Sequence, residues 1–150
     1  MEQFRVDGVK ELDNKVKKIG KLPQKVVTKS AKKAMTIAYK AAKKGEWIDQ
    51  SGEMRKGMLL VGERTKTKGK KVYRVVFDRA KNDIFQKKNK DGKITGYYPA
   101  SQEHGFTARN GRYIPGYHFM EQGLTENAGE IKLIIIGTMI KEIDKEIEKG

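Results

Sequence analysis

Cysteine is absent from this 150-residue chain. Disulfides and thiolate metal sites are therefore excluded, and nothing demands an oxidising compartment. Histidine occurs only twice, at His104 and His118, and proline only three times. Long apolar runs are missing as well. The most apolar stretch, Ile131–Ile136, contains Lys132 and falls far short of the roughly 20 residues that span a bilayer. Met1–Lys10 alternates charged and apolar residues and holds no secretory apolar core. The expectation is a soluble chain, made in the cytosol and kept there or released by lysis, with no membrane partner.

Apolar residues are also scarce, at 37%, while charged residues reach 35% against about 25% in an average soluble domain. The length fits one domain over residues 1–150, long enough to bury a real core. The excess charge implies that some segments project as hairpins or are covered by partner subunits. The net charge is +14, a field that attracts nucleic acid, acidic partners or anionic surfaces. It is unevenly placed: Asn14–Lys44 has eleven lysines and no acidic residue, whereas Glu121–Gly150 has seven acidic and four basic residues. One end can attract the other, within a molecule or between copies.

Phe4 and Val6 suggest a short opening strand, and Asp7 is placed to cap a helix through Val9, Leu12, Val16 and Ile19. Gly20 is expected to end that helix and Pro23 to begin the next. Val27, Ala31, Ala34, Met35, Ala38 and Ala42 form a narrow alanine-rich stripe that a neighbour could approach closely, and the helix stops near Gly45. Lysines cover the rest of it. With Tyr39 its only aromatic residue and no arginine, it suits non-specific phosphate attraction better than sequence reading. Ser51-Gly52 marks a turn before a strand beginning at Met58, and Val72–Asp78 is a second strand, joined to the first through Thr65–Lys70. Asn89–Gly92 makes a third turn between Ile84-Phe85 and Ile94. A last helix runs from about His118 to Lys149, broken near Gly123 or Gly129, with a long stripe of Leu133, Ile136, Ile140, Ile143 and Ile147. The class is α+β: N-terminal helices and a long C-terminal helix packed on a small antiparallel sheet with projecting hairpins.

The stretch from Tyr97 to Leu124 stands apart. It holds both histidines, two of the three prolines, four of the six tyrosines and an Asn110-Gly111 pair that suits a type I′ hairpin turn, after which Pro115 stops pairing. As a site of chemistry it lacks partners. Glu103, His104, His118 and Glu121 are the candidate metal ligands, but no HExxH spacing links them, and the hairpin separates the two histidines. Ser30, Ser51 and Ser101 have no nucleophile elbow and no predictable His and acid partners. The Glu103 and Glu121 carboxylates have no constrained separation. No glycine pattern marks a nucleotide loop. No catalytic residue, cofactor or metal is expected, and the stretch reads as a joint between sheet and last helix.

Several steps of the chain, in order, resemble the tail-completion family (minor tail components) of long-tailed phages. Phe4, Gly8 and Leu12 match its opening. Ser51-Gly52-Glu53-Met54-Arg55-Lys56-Gly57 resembles its T/S-G-x-L-R-x-S step, with Met54 for Leu and Gly57 for Ser. Tyr98-Pro99-Ala100-Ser101-Gln102-Glu103-His104-Gly105 resembles Y-A-x-x-x-E-x-G, with Pro99 inserted after the Tyr. Tyr113–Phe119, leading to Leu124, resembles the aromatic and Pro-rich step before the last helix. The lysine-rich hairpin over 87–93 departs from the pattern as an insertion, and the joint after Gly105 is longer than is common.

The resemblance implies a non-enzymatic virion protein of the phage neck or tail. It would complete the tail as a homo-oligomeric ring, taken as a hexamer, between tail-tube or terminator proteins and the head connector, and it would be found in host cytoplasm during assembly. Ser51, Gly52, Met54, Arg55, Tyr98, Glu103, Gly105, Pro115 and Phe119 become the assembly positions. Lys87, Lys88, Lys90 and Lys93 become candidates to face DNA in the channel or an acidic partner. The alternative from another class is a small basic protein that binds nucleic acid without reading sequence.

Overall fold

The structure, a computed structural model, describes residues 9–149, with side chains from residue 24 onward. The expected opening strand at Phe4 and Val6, the Asp7 cap and the Gly8 match lie outside the described residues. The first described element is a single long helix, α1 (Val9–Lys44). It runs through both Gly20 and Pro23, so the expected break there is corrected. A proline inside a helix removes one backbone bond and crowds the preceding turn. Lys21, Leu22, Gln24 and Lys25 around it are all strong helix formers.

The buried ridge of α1 is Val26, Ser30, Ala34, Ala38 and Ala42, one residue in four. The expected stripe was partly out of phase: Val27, Ala31 and Met35 sit half-buried on its shoulder. Ser30 fits the ridge because its hydroxyl donates to the Val26 carbonyl at 2.8 Å. Small residues then allow the close approach that the alanines foretold. A side chain at Gly123 would meet the Ala38 carbonyl oxygen at 3.0 Å and the Ala42 Cβ at 3.2 Å.

After α1 come a short helix α2 (Glu53–Gly57) and an antiparallel pair, β1 (Met58–Gly62) and β2 (Tyr73–Phe77), with Met58 opposite Phe77 and Gly62 opposite Tyr73. A 3-10 turn at Arg79–Lys81 and helix α3 (Asn82–Phe85) lead to a second pair, β3 (Gln86–Lys88) and β4 (Ile94–Tyr97). Helix α4 (Tyr98–His104) feeds the third pair, β5 (Gly105–Thr107) and β6 (Tyr113–Pro115). Two helices close the chain, α5 (Phe119–Thr125) and α6 (Ala128–Glu148). The protein is α+β, with its strands distributed over three two-stranded sheets rather than gathered into one.

Both later hairpins turn in the same way. The Gly111 amide donates to the Ala108 carbonyl, the Gly92 amide donates to the Asn89 carbonyl, and each glycine is left-handed at φ 79° and 76°. Asn110 does not take positive φ, so the expected type I′ turn is replaced by a longer loop closed by one left-handed glycine. Pro115 pairs with Gly105 and is the last residue of β6, not a stop before it.

The core has two parts. Ala42, Trp47, Met54, Met58, Phe85 and Phe119 form one, where the end of α1 meets α2, β1, α3 and α5. Ala34, Ala38 and Ile131 form the other, between α1 and α6, flanked by Met35, Ile37, Ile134 and Ile135. The acidic end of the chain meets the basic end within the molecule. Lys29 reaches the buried Glu142 at 2.6 Å and Lys25 reaches Glu146 at 2.5 Å. The surprise is α6. Its Leu133, Ile136, Ile140, Ile143 and Ile147 stripe, expected to pack, faces outward, and Ile131, Thr138 and Glu142 are the buried positions.

Candidate functional site

Helix α1 ends at Lys44 with its last carbonyls in need of donors. Trp47 and Arg55 supply two of them, at Ala42 and Lys43. The Trp47 indole donates to the Ala42 carbonyl at 2.7 Å. The Arg55 guanidinium donates to the carbonyls of Lys43, Gly45 and Trp47, the last at 2.7 Å, and lies 4.0 Å over the Trp47 ring. A fixed planar fork is what lets one side chain hold three carbonyls and stack at once, and its charge complements the negative helix end. Arg55 is itself positioned by Asp49, whose carboxylate accepts the Arg55 amide at 2.8 Å in the first turn of α2. Gly52, left-handed at φ 73°, makes the turn into α2, and Ser51 accepts the Glu53 amide through its hydroxyl at 3.3 Å. Met54 is fully buried beneath them.

A second capping arrangement joins α4 to α5. Glu103 is buried, and its two carboxylate oxygens accept the amides of Met120 at 2.9 Å and Glu121 at 3.1 Å. A negative group there satisfies two orphan donors and faces the positive end of the helix. In return the α4 carbonyls of Gln102 and Glu103 accept the amides of Tyr117 and His118 at 2.8 and 3.0 Å. The chain must pass through a tight point to do this. Gly105 has φ 86°, and a Cβ on it would overlap the Ile114 carbonyl; a Cβ on Gly116 would overlap the Glu103 carbonyl. The Glu-x-Gly spacing of Glu103 and Gly105 therefore has a mechanical reason: the first caps α5, and the second lets β6 fold back beside that cap.

The two arrangements meet in the core. Phe119, the first residue of α5, stacks on Trp47 with centroids 4.4 Å apart. Phe119 also meets Phe77 edge-on, Phe77 meets Phe85, and Phe85 meets Tyr97. Aromatic edges and faces attract in this geometry beyond their simple burial. The series runs from the α1 terminus to the start of α4. The joint is one packed body.

The expected assembly positions thus divide. Met54, Arg55, Glu103, Gly105 and Phe119 are brought together or locked by backbone geometry, whereas Ser51, Tyr98 and Pro115 are exposed. Lys87, Lys88, Lys90 and Lys93 are all exposed on the β3–β4 hairpin, away from the joint. The histidines do converge, against expectation. The rings of His104 and His118 lie 6.4 Å apart, because β5 and β6 fold back on one another, and His118 Nδ1 is 3.4 Å from Glu121. Glu103 does not join them, since both its oxygens face backbone amides. Among the described residues no group of three His, Asp or Glu side chains could hold a metal ion. A cleft of about 280 Å³ beside Trp47 and Phe119 is smaller than ordinary small-molecule sites.

One feature was missed in the sequence. The loop between β1 and β2 runs beside α1, pinned by Gln24, whose side chain accepts the Gly69 amide at 3.0 Å and donates to the Lys70 carbonyl at 3.1 Å. With Thr28, Arg64, Lys66, Lys68 and Lys71 it lines an open groove of about 680 Å³. Five basic and no acidic residues within Arg64–Lys71 were the available signal. No helix of the described residues is long and apolar enough to cross a membrane.

Comparison of the chain with protein-family models, with characterised proteins and with solved structures finds no match.

Proposed function

We propose that this protein is a non-enzymatic structural component of a phage or phage-derived tail, acting at the neck, where it completes the tail and readies it for head joining. What carries the reading is the resemblance to the tail-completion family together with the packing of its motif residues. Arg55 of the first step, Glu103 and Gly105 of the second and Phe119 of the third serve one joint. Residues that cap helices and permit a tight crossing suit a part whose task is to hold a surface in shape. The surface so held includes Tyr98, Pro115 and the β5–β6 hairpin, which are exposed and available to tail-tube, terminator or connector proteins. A ring of copies, taken as a hexamer, is part of this proposal, as is location in the virion after assembly in host cytoplasm. The test is immunogold labelling of intact particles with antibody against the chain. Label at the head–tail junction supports the role, and label confined to soluble host fractions contradicts it.

A second reading is favoured by the Arg64–Lys71 groove: non-specific attachment to a nucleic-acid backbone, with the β3–β4 lysines as further contacts. Within a neck it would serve to steady DNA in the channel. Duplex binding that weakens steeply and linearly with the logarithm of salt concentration supports it, and negligible binding at physiological salt removes it.

A further inference from the structure

The loop joining β1 to β2 carries Arg64, Lys66, Lys68, Lys70 and Lys71, and from Arg64 to Lys71 it has no apolar side chain. Connections of this length and composition are ordinarily among the more mobile parts of a fold. This one is tied to α1. Both ends of the Gln24 amide serve the tie. Its oxygen accepts the Gly69 amide at 3.0 Å, and its nitrogen donates to the Lys70 carbonyl and the Thr28 hydroxyl, each at 3.1 Å. Gly69, left-handed at φ 75°, gives the loop the turn that presents those two backbone groups to Gln24. The Thr65 hydroxyl accepts the Thr67 amide at 3.2 Å and shapes the other limb. Gln24 and Thr28 thus form one wall of the groove, and the basic loop forms the other. Helical spacing sets the exposed Lys32 on the same face of α1, one turn beyond Thr28.

We propose that this groove is a preformed seat for the phosphate backbone of a nucleic-acid duplex, with Gln24 as its positioning residue. The proposal rests on the second, nucleic-acid reading and gives it a place on the molecule. Among the described residues no carboxylate lines the groove. The carboxylates nearest to it are already taken, Glu63 by Arg74 at 2.7 Å and Glu146 by Lys25 at 2.5 Å. Lys71 is held by neutral partners, the Glu63 carbonyl at 2.7 Å and the face of Tyr73, so its charge stays available to an anion. Among the described residues no aromatic ring lines the groove to stack an unpaired base, which favours a duplex over a single strand. The loop also has no apolar side chain to enter a bilayer, which favours a backbone over an anionic membrane. Because the tie to α1 exists before binding, less ordering remains to be done on contact. The lysines of the β3–β4 hairpin share their segment with Asp91 and contribute less per charge.

Fluorescence anisotropy with a labelled duplex of mixed sequence, repeated over a series of salt concentrations on the full chain, tests this. Arg64→Ala/Lys66→Ala/Lys68→Ala should bind about tenfold or more weakly at low salt, and its slope of log affinity against log salt should shrink by about 2–3. Substituting Lys87, Lys88, Lys90 and Lys93 together by Ala should cost less affinity and less slope, although it removes one more charge. Gln24→Ala should weaken binding several-fold with the slope unchanged, because the same phosphates are neutralised by a loop that must first be ordered. A role for Gln24 in stability alone would move the unfolding midpoint and leave the affinity of the folded protein as it was. Helical circular dichroism should match the wild type in all three variants. A wild type that binds duplex while the triple variant binds equally well would overturn the seat and leave the nucleic-acid reading standing. Tighter binding to the separated strand, or to vesicles of anionic lipid, would also overturn it. A wild type that ignores duplex altogether would remove the reading and the seat together.

Discussion

The Phe119 ring stacks on Trp47 at 4.4 Å with 21° between their planes, joining the end of α1 to the start of α5. Both side chains are buried, and the Arg55 guanidinium closes the other face of the indole. Phe119→Ala should therefore lower stability by about 3–5 kcal/mol, the usual cost of removing a core phenylalanine. Phe119→Leu should cost less than half of that. Urea unfolding followed by Trp47 fluorescence, from the only tryptophan in the chain, measures both.

Arg55 is separable from its charge. Arg55→Lys keeps the cation but not the fork, so at least two of the three carbonyls of Lys43, Gly45 and Trp47 lose their donor. The expected loss is about 2 kcal/mol, close to that of Arg55→Ala. Near-equal unfolding midpoints for the two variants would show that geometry rather than charge matters there.

The α4–α5 connection makes a paired prediction. In Glu103→Gln one amide nitrogen must face the backbone N–H of Met120 or Glu121, which leaves an unpaired donor and should cost about 1–3 kcal/mol. Gly105→Ala combines positive φ with overlap of the Ile114 carbonyl and should cost more than Gly92→Ala. Gly92 has the same kind of φ but open space around it, so its cost should stay near about 1–2 kcal/mol. Equal effects at the two glycines would contradict the crowding at Gly105.

Acid should loosen the α1–α6 pair. Hydrogen bonds from Lys29 to Glu142 and from Lys25 to Glu146 hold both carboxyls below the usual carboxylate range, against the opposing effect of desolvation. A depressed folded-state value stabilises the protein above the unfolded value, about 4.3 for Glu. That stabilisation is lost as pH falls through and below it. Glu53, held low by Lys81 and Lys56, acts in the same direction. Melting temperature should fall between pH 6 and pH 3, and Glu142→Gln/Glu146→Gln should flatten that fall.

Much of this was legible beforehand, and the gaps have physical reasons. The α+β class, the break between α5 and α6 and the β1–β2 pairing followed from periodicity and turn residues. Proline and glycine signals misled at Gly20–Pro23, where strong helix formers on both sides carry α1 through. The α1 ridge was displaced by one residue because Ser30 counts as polar in a sequence but satisfies its hydroxyl on its own helix. Periodicity found both faces of α6 and could not say which one meets α1; the ion pairs of Glu142 and Glu146 decide that. Within the joint, Arg55, Glu103, Gly105 and Phe119 could be named as positions, but not what they do. Arg55, Glu103 and Gly105 act on backbone amides and carbonyls, which leave no trace in side-chain patterns, and Phe119 stacks on a ring 72 residues earlier in the chain. The approach of His104 to His118 depends on a hairpin whose strands are three residues each, too short for the sequence to place the two rings together.

An assembly role at the neck is tested most directly by head–tail joining in a lysate that lacks this chain. Tails and DNA-filled heads should accumulate separately, and adding the purified wild-type protein should restore joined particles under electron microscopy. Joining that proceeds normally without the chain, or separate heads and tails that the added protein does not rescue, would contradict the role.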